Sequence, residues 1–392
     1  MSGALETLFF AALNVVSSSN DDKSVQTPSK SLGKLRPSGW DFNGSRDNAA
    51  PLVDQNCHDS DTKQRERCST IFVNSMYHKD LDGFDKVELY LQQCFRPYAK
   101  ELERRGYEVQ DSYESVLEKQ HDLALVMVPK NMIEARYMIA QGIKALRDGG
   151  ALICAADNKA GGTRLKKLLQ GFGFDVVDVY SRNKARAARI IKDSGVVNEA
   201  ALAKALKEGA MQSVLGGEYV SQSGIYGWDK IDNGSRILIE NLPTDLKGRF
   251  ADFGCGYGYL SKAILTNIEK VKALHCIDAD SRALGACKKN IWAVAEDRLA
   301  VEYLWRDLTD PKSALKNLDH IVMNPPFHEG KSMDVSVGKA FIARAYESLR
   351  RGGRLWMVAN KHLPYEPELT GRFFKVHKLY EGQGFKVYEA IR

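Results

Sequence analysis

The chain has 392 residues, 44% of them hydrophobic and 27% charged, which suits two folded domains of ordinary size and excludes a wholly disordered or fibrous protein. No run approaches the roughly 18 consecutive apolar residues of a membrane span. Leu8 to Val16 is too short, contains Asn14, and has no Lys or Arg before Lys23 to make a signal peptide of it. The net charge of +6 is uneven: residues 1–63 carry −2 and the remainder +8, a balance that favours a polyanionic partner.

From Ser17 to Arg67 the chain is rich in Ser, Asn, Asp, Lys and Gly and shows no periodicity, so residues 1–67 read as a low-complexity leader, disordered over most of its length. Order is expected to begin at the β-prone run Thr70-Ile-Phe-Val73. Val87 to Arg105, with Leu89, Leu91, Phe95, Tyr98 and Leu102 at roughly helical spacing, predicts an amphipathic helix. Leu123 to Val128 and Ala151 to Ala155 predict strands, with a helix from Ile133 to Leu146 and a Gly149-Gly150 turn between them. Phe174 to Tyr180 predicts one strand more. Strands alternating with helices indicate a parallel sheet and an α/β domain over 68–200.

The second half, 201–392, repeats this grammar. Strands are expected at Arg249 to Phe253, Ala273 to Ile277, His320 to Met323 and Arg354 to Ala359, and helices at Leu260 to Ile268, Arg282 to Ala295 and Val337 to Leu349. Leu146-Arg-Asp-Gly-Gly-Ala-Leu152 matches Leu349-Arg-Arg-Gly-Gly-Arg-Leu355 in spacing, which points to a duplicated domain. Seven cysteines, odd in number and without a C-x-x-C pair, predict reduced thiols in a cytoplasmic protein and no metal site.

The chemistry concentrates in the second half. Asp252-Phe-Gly-Cys-Gly-Tyr-Gly258 follows an apolar strand and precedes a helix, where glycine lets the backbone pass close to a ligand at the carboxyl edge of the sheet. A dinucleotide fingerprint would need glycine at 259, which is Tyr259. Asp278 ends the next strand, where a carboxylate can accept from both ribose hydroxyls or cap a helix. Asn324-Pro-Pro-Phe327 follows the strand ending at Met323, and its two prolines enforce a rigid extended turn. That turn points two acceptors, the Asn324 amide and the Pro325 carbonyl, into the cleft, with the planar face of Phe327 beside them.

The D-x-G-x-G-x-G loop resembles motif I of class I S-adenosylmethionine-dependent methyltransferases, and Asn324 to Phe327 resembles the N-P-P-[FY] signature of those acting on planar nitrogens. With Gly224-Ile-Tyr-Gly-Trp-Asp-Lys-Ile-Asp-Asn-Gly234, Val358 to Glu366 and Phe385 to Ala390, the second half resembles the ribosomal RNA guanine-N2 methyltransferases of the small-subunit methyltransferase C type. Asn158 to Arg164 extends the likeness to the family's degenerate N-terminal domain, and Leu5 to Phe9 extends it faintly into the leader. The resemblance implies two Rossmann-like α/β methyltransferase domains in tandem, the first degenerate and serving substrate recognition or support, the second catalytic. It implies S-adenosylmethionine held by Tyr226, Asp252, Gly254, Gly256, Gly258, Asp278, Asp307 and Asn324, with Asp307 accepting from the adenine amine or forming a surface turn. It makes Asn324, Pro325 and Phe327 catalytic, and ribosomal RNA or a ribosomal subunit the partner. Arg182, Arg186 and Arg189, expected on one helix face, would meet phosphates with Phe327 on the base, or form a solvated face. Methylation of adenine N6 or of a protein glutamine, and a vestigial RNA-binding assembly protein, are the alternative readings.

Overall fold

In this computed structural model, which describes residues 3–18, 68–113, 120–295, 300–326 and 335–392, each half of the chain builds a seven-stranded sheet. One compact unit holds the described residues up to Gln93 with Glu101–Lys207, and the other holds Cys94–Lys100 with Glu208–Arg392.

Along the first half of the chain, helix α1 (Gly3–Ser18) is followed by β1 (Thr70–Val73), β2 (Leu89–Gln92), α2 (Arg96–Arg104), β3 (Val109–Gln110), β4 (His121–Met127), α3 (Met132–Ala145), β5 (Leu146–Asp157), α4 (Leu165–Gly171), β6 (Asp178–Arg182), β7 (Ala185–Ile191) and α5 (Glu199–Gly209). The sheet order is β3-β2-β1-β4-β5-β7-β6, with β7 antiparallel to both neighbours. Strand alternation divides the core: Ile71 and Val73 face Met138 and Ile139 of α3, while Phe72 faces Leu5, Leu8 and Phe9 of α1.

A short hairpin of β8 (Gln212–Val214) and β9 (Tyr219–Ser221) leads into α6 (Asn233–Glu240), β10 (Lys247–Phe253), α7 (Tyr259–Asn267), β11 (Lys270–Asp278), α8 (Ser281–Ala295) and β12 (Ala300–Trp305). The rest of the unit is β13 (Leu318–Met323), α9 (Val335–Ser348), β14 (Leu349–Asn360), α10 (Glu366–Thr370), β15 (Lys375–Gly382) and β16 (Phe385–Ile391). Its sheet, β12-β11-β10-β13-β14-β16-β15, has the order of the first, strand for strand. The duplication reaches single hydrogen bonds. Asp122 accepts from Arg147 Nε at 2.5 Å and from Ser69 N at 2.8 Å, and Asp319 accepts from Arg350 Nε at 2.5 Å and from Arg249 N at 2.8 Å.

Three expectations are corrected. Residues 3–18 of the supposed leader are a helix of the first unit: α1 lies across β5 and β7, as α6 lies across β14 and β16, the same two places in the strand order. Residues 1–2 and 19–67, the remainder of that expectation, lie outside the described residues. The helix expected over 87–105 begins only at Arg96. Leu89–Gln92 is a strand because it pairs in parallel with Thr70–Val73. The basic run 181–192 is not helical either. Asn183 and Lys184, at φ 49° and 59°, form a two-residue hairpin turn between β6 and β7 of the twist that favours tight hairpins. Among the described residues no helix is long and apolar enough to cross a membrane, and no group of three or more His, Cys, Asp and Glu could hold a metal ion.

Candidate functional site

The parallel register sets the site. Phe253 lies level with Ile277 on one side and Met323 on the other, so the loop after β10, the acid ending β11 and Asn324 after β13 emerge together at one carboxyl edge. This is where an open α/β sheet binds its ligand.

Gly254 N and Cys255 N donate to Ile277 O at 2.8 and 3.0 Å, tying the loop to the neighbouring strand. Gly254, Gly256 and Gly258 all have positive φ, at 76°, 55° and 92°. The reasons for glycine differ along the loop. A Cβ on Gly256 would project into open space with no atom within 4 Å. A Cβ on Gly258 would stand 2.8 Å from Cys287 Sγ and 3.0 Å from its Cα, so this glycine lets the loop pack against α8.

Asp278 accepts from Gly256 N at 2.8 Å and from Asp280 N at 2.9 Å. Burial lifts its pKa to about 6 against these backbone donors, which pull it down. Asp252 is fully buried. Its Oδ2 accepts from Ser261 Oγ of α7 at 2.7 Å, its Oδ1 has no partner, and burial pushes it up to about 7. The open space at Gly256 and the partly exposed Asp278 carboxylate together fit a ligand that brings hydroxyl donors to this edge.

Asp307 follows β12. Its Oδ1 accepts from Thr309 N at 2.8 Å and Thr309 Oγ1 at 2.6 Å, so at least one of its oxygens closes a turn. Arg306 N donates to Asp278 O at 3.0 Å and brings that turn to the same edge. Tyr226 is 64% exposed between Ile225, which is buried, and Trp228, which packs on the same cluster. Gly224 and Gly227, at φ 105° and 62°, shape the loop that displays it.

Asn324 is half-buried and Pro325 is buried, while Phe327 lies outside the described residues. The Asn324 amide is held by residues that the sequence did not single out. Its Nδ2 donates to Asp232 Oδ1 at 2.6 Å and to Ser235 Oγ at 2.9 Å. Asp232 also caps α6, accepting from Ser235 N at 2.9 Å through the same oxygen. The Asp-x-x-Ser spacing at the start of α6 is a legible cap signal, but nothing local ties it to a residue 92 positions away.

The three arginines do not share a helix face. With Arg182 opposite Ala185 in the hairpin register, Arg182 and Arg189 fall on one face of the sheet and Arg186 on the other. Arg189 pairs with Asp178 at 2.5 Å, and Arg182 lies over the Phe10 ring, 5.0 Å from its centroid. In the first unit, the edge equivalent to the glycine loop is occupied by side-chain amides. Asn74 N donates to Gln92 Oε1 at 3.1 Å, Asn74 Nδ2 to Met127 O at 2.9 Å, and Gln93 Nε2 to Ser75 O at 2.7 Å.

Residues 216–389 match the family described as Methyltransferase small domain, and residues 77–190 match Methyltransferase small domain N-terminal. The ribosomal RNA small subunit methyltransferase C of Shewanella piezotolerans is 31% identical over 275 residues, 69% of this chain and 77% of that protein. The protein of the same description from Pseudomonas paraeruginosa is 32% identical, over 69% of this chain and 79% of its own. A 16S rRNA N2 methyltransferase of T. thermophilus, solved with AdoMet and guanosine, shares the fold at TM-score 0.67 and 24% identity, over 82% of this chain and 87% of its own.

Proposed function

The chain belongs to the ribosomal RNA small subunit methyltransferase C family of S-adenosylmethionine-dependent enzymes, and from that premise we propose that it methylates the exocyclic N2 amine of a guanine in ribosomal RNA. The observation that carries this reading is Asn324: both of its N–H bonds are committed to Asp232 and Ser235, leaving its oxygen to accept, beside the Gly254–Gly258 loop. An acceptor is what an amine requires.

Bound S-adenosylmethionine supplies an electrophilic methyl group on a sulfonium centre. The chain's residues do the remainder. The open face of Gly256 admits the cofactor to the backbone, Asp278 accepts from its ribose hydroxyls, Asp307 stands by the adenine, and Tyr226 covers it. Asn324 Oδ1 accepts one amine hydrogen and strengthens that bond as positive charge develops on nitrogen, while the Pro325 carbonyl takes the other and Phe327 stacks on the base. No side-chain base is needed before transfer, because the proton leaves more readily once nitrogen carries charge. The first unit, whose equivalent edge is filled by Asn74, Gln92 and Gln93, serves RNA recognition or support. The described cysteines are free thiols, in keeping with a cytoplasmic protein working on ribosomal RNA or a ribosomal subunit.

The test is incubation of the protein with methyl-labelled S-adenosylmethionine and with small ribosomal subunits or their free RNA, followed by nucleoside and peptide mass spectrometry. Labelled N2-methylguanosine is expected. Label in N6-methyladenosine or methylglutamine would replace this reading, and RNA binding without any transfer would make the protein an assembly factor.

A further inference from the structure

The Asn324 amide has two ends of nearly equal shape and opposite hydrogen-bonding sense, and only one serves an amine. A carboxylate oxygen accepts and does not donate, so Asp232 Oδ1 at 2.6 Å can face only the NH2 end. Turning the amide over would set two acceptors against each other there and present N–H donors to the amine's own hydrogens. Ser235 alone could not choose, because a hydroxyl rotates to donate or accept as required. The oxygen that makes the choice is itself held. Asp232 Oδ1 accepts from Ser235 N at 2.9 Å, and Arg236 N donates to Asp232 O at 3.0 Å, so the first turn of α6 fixes the cap residue. No described residue donates to Asn324 Oδ1, which is therefore left for the substrate.

We propose that Asp232, assisted by Ser235, is a positioning residue that locks the Asn324 amide with its oxygen outward, so that the site takes an amine donor and turns away an acceptor. Guanine offers both kinds of group, with O6, N3 and N7 that accept and the N1–H and the N2 amine that donate. The lock therefore makes the sign of the site a property of the start of α6, 92 residues before the catalytic turn. This rests on the amine-methylation reading above.

Three variants separate orientation from helix capping. Asp232→Ser keeps a side chain that caps well but loses the acceptor-only group. Ser235→Ala removes one amide contact and leaves the cap, because the cap is received by the backbone N–H of residue 235. In Asp232→Asn the same N–H draws the new carbonyl oxygen inward, so an acceptor still faces Asn324. Single-turnover methyl transfer is measured at saturating RNA and cofactor, with cofactor affinity by calorimetry and melting temperature in parallel. Asp232→Ser is expected to lose at least about tenfold in rate, the scale of a misoriented catalytic group. Ser235→Ala loses less, Asp232→Asn recovers most of the rate, and cofactor affinity and melting temperature stay near wild type in all three.

Wild-type rates in both Asp232→Ser and Ser235→Ala would overturn the lock, as would Asp232→Asn being as slow as Asp232→Ser. Should Asp232→Ser not fold, Asp232→Thr, which also caps through a hydroxyl and lacks the acceptor-only group, takes its place: a rate at least about tenfold down supports the lock and a wild-type rate overturns it. The underlying reading fails in a different way: wild-type protein would then yield a product other than N2-methylguanosine, whatever the variants do.

Discussion

The Asp278 carboxylate is lifted from the ordinary 3.8 to about 6 by burial, with Gly256 N and Asp280 N opposing the shift. Its effects on stability and on binding therefore run in opposite directions with pH. Ionisation costs the folded state, so this group's contribution to stability is full below about pH 4 and is lost as pH rises through about 6. A carboxylate that must accept two ribose hydroxyls works only when ionised, so cofactor affinity should be full near pH 7 and fall below 6. At pH 5 about a tenth of the molecules would be ionised, which weakens affinity by about tenfold, or about 1.4 kcal/mol. Calorimetric titration of S-adenosylmethionine at pH 7, 6 and 5, with circular dichroism to show the fold intact, measures it. Asp278→Asn supplies the baseline: weaker binding with no fall between pH 7 and 5. A wild-type affinity flat over that range, in folded protein, would refute the assignment of Asp278 to the ribose.

Gly256→Val should abolish cofactor binding, because its side chain fills the space that Gly256 leaves open, and isothermal titration would show it; retained affinity would remove this loop from the site. Phe9→Ala, in the buried face of α1 against Phe72 and His78, should cost the first unit about 3 to 5 kcal/mol in denaturant unfolding, and a change under 1 kcal/mol would mean that α1 is not part of that core. Asn324→Ala should slow single-turnover transfer by about two orders of magnitude with cofactor affinity unchanged, and a near wild-type rate would sink the hydrogen-bonded amine. Joint replacement of Arg182, Arg186 and Arg189 by Gln should lower the salt dependence of RNA binding by fewer than three charges, since Arg189 is already paired with Asp178; an unchanged slope returns the hairpin to a solvated surface.

Local signals were enough for much of the fold and for the edge where the site lies. Strands such as Thr70–Val73 and, from His320 to Met323, most of β13 are short β-prone runs bounded by turn residues, and the Gly254–Gly258 loop and the Asn324-Pro-Pro turn are punctuation whose backbone demands can be read residue by residue. The repeated Leu-Arg-x-Gly-Gly-x-Leu spacing announced the duplication that the two identical strand orders display. Tertiary contact decided the rest. Leu89–Gln92 is a strand only because β1 offers it a ladder, and four residues are too few to reveal a period of two. Ala185–Ile191 is a strand because it is inserted between β5 and β6, with alternate residues buried on opposite faces, where the basic composition alone permitted a helix. Leu5, Leu8 and Phe9 belong to a core whose first described strand begins at Thr70, more than sixty residues on, so the residues beside them in the chain could not show it. The hold of Asp232 on Asn324 is of the same kind: the sequence contains a helix cap and a proline turn, and only the closing of α6 against the end of β13 makes one the orienting partner of the other.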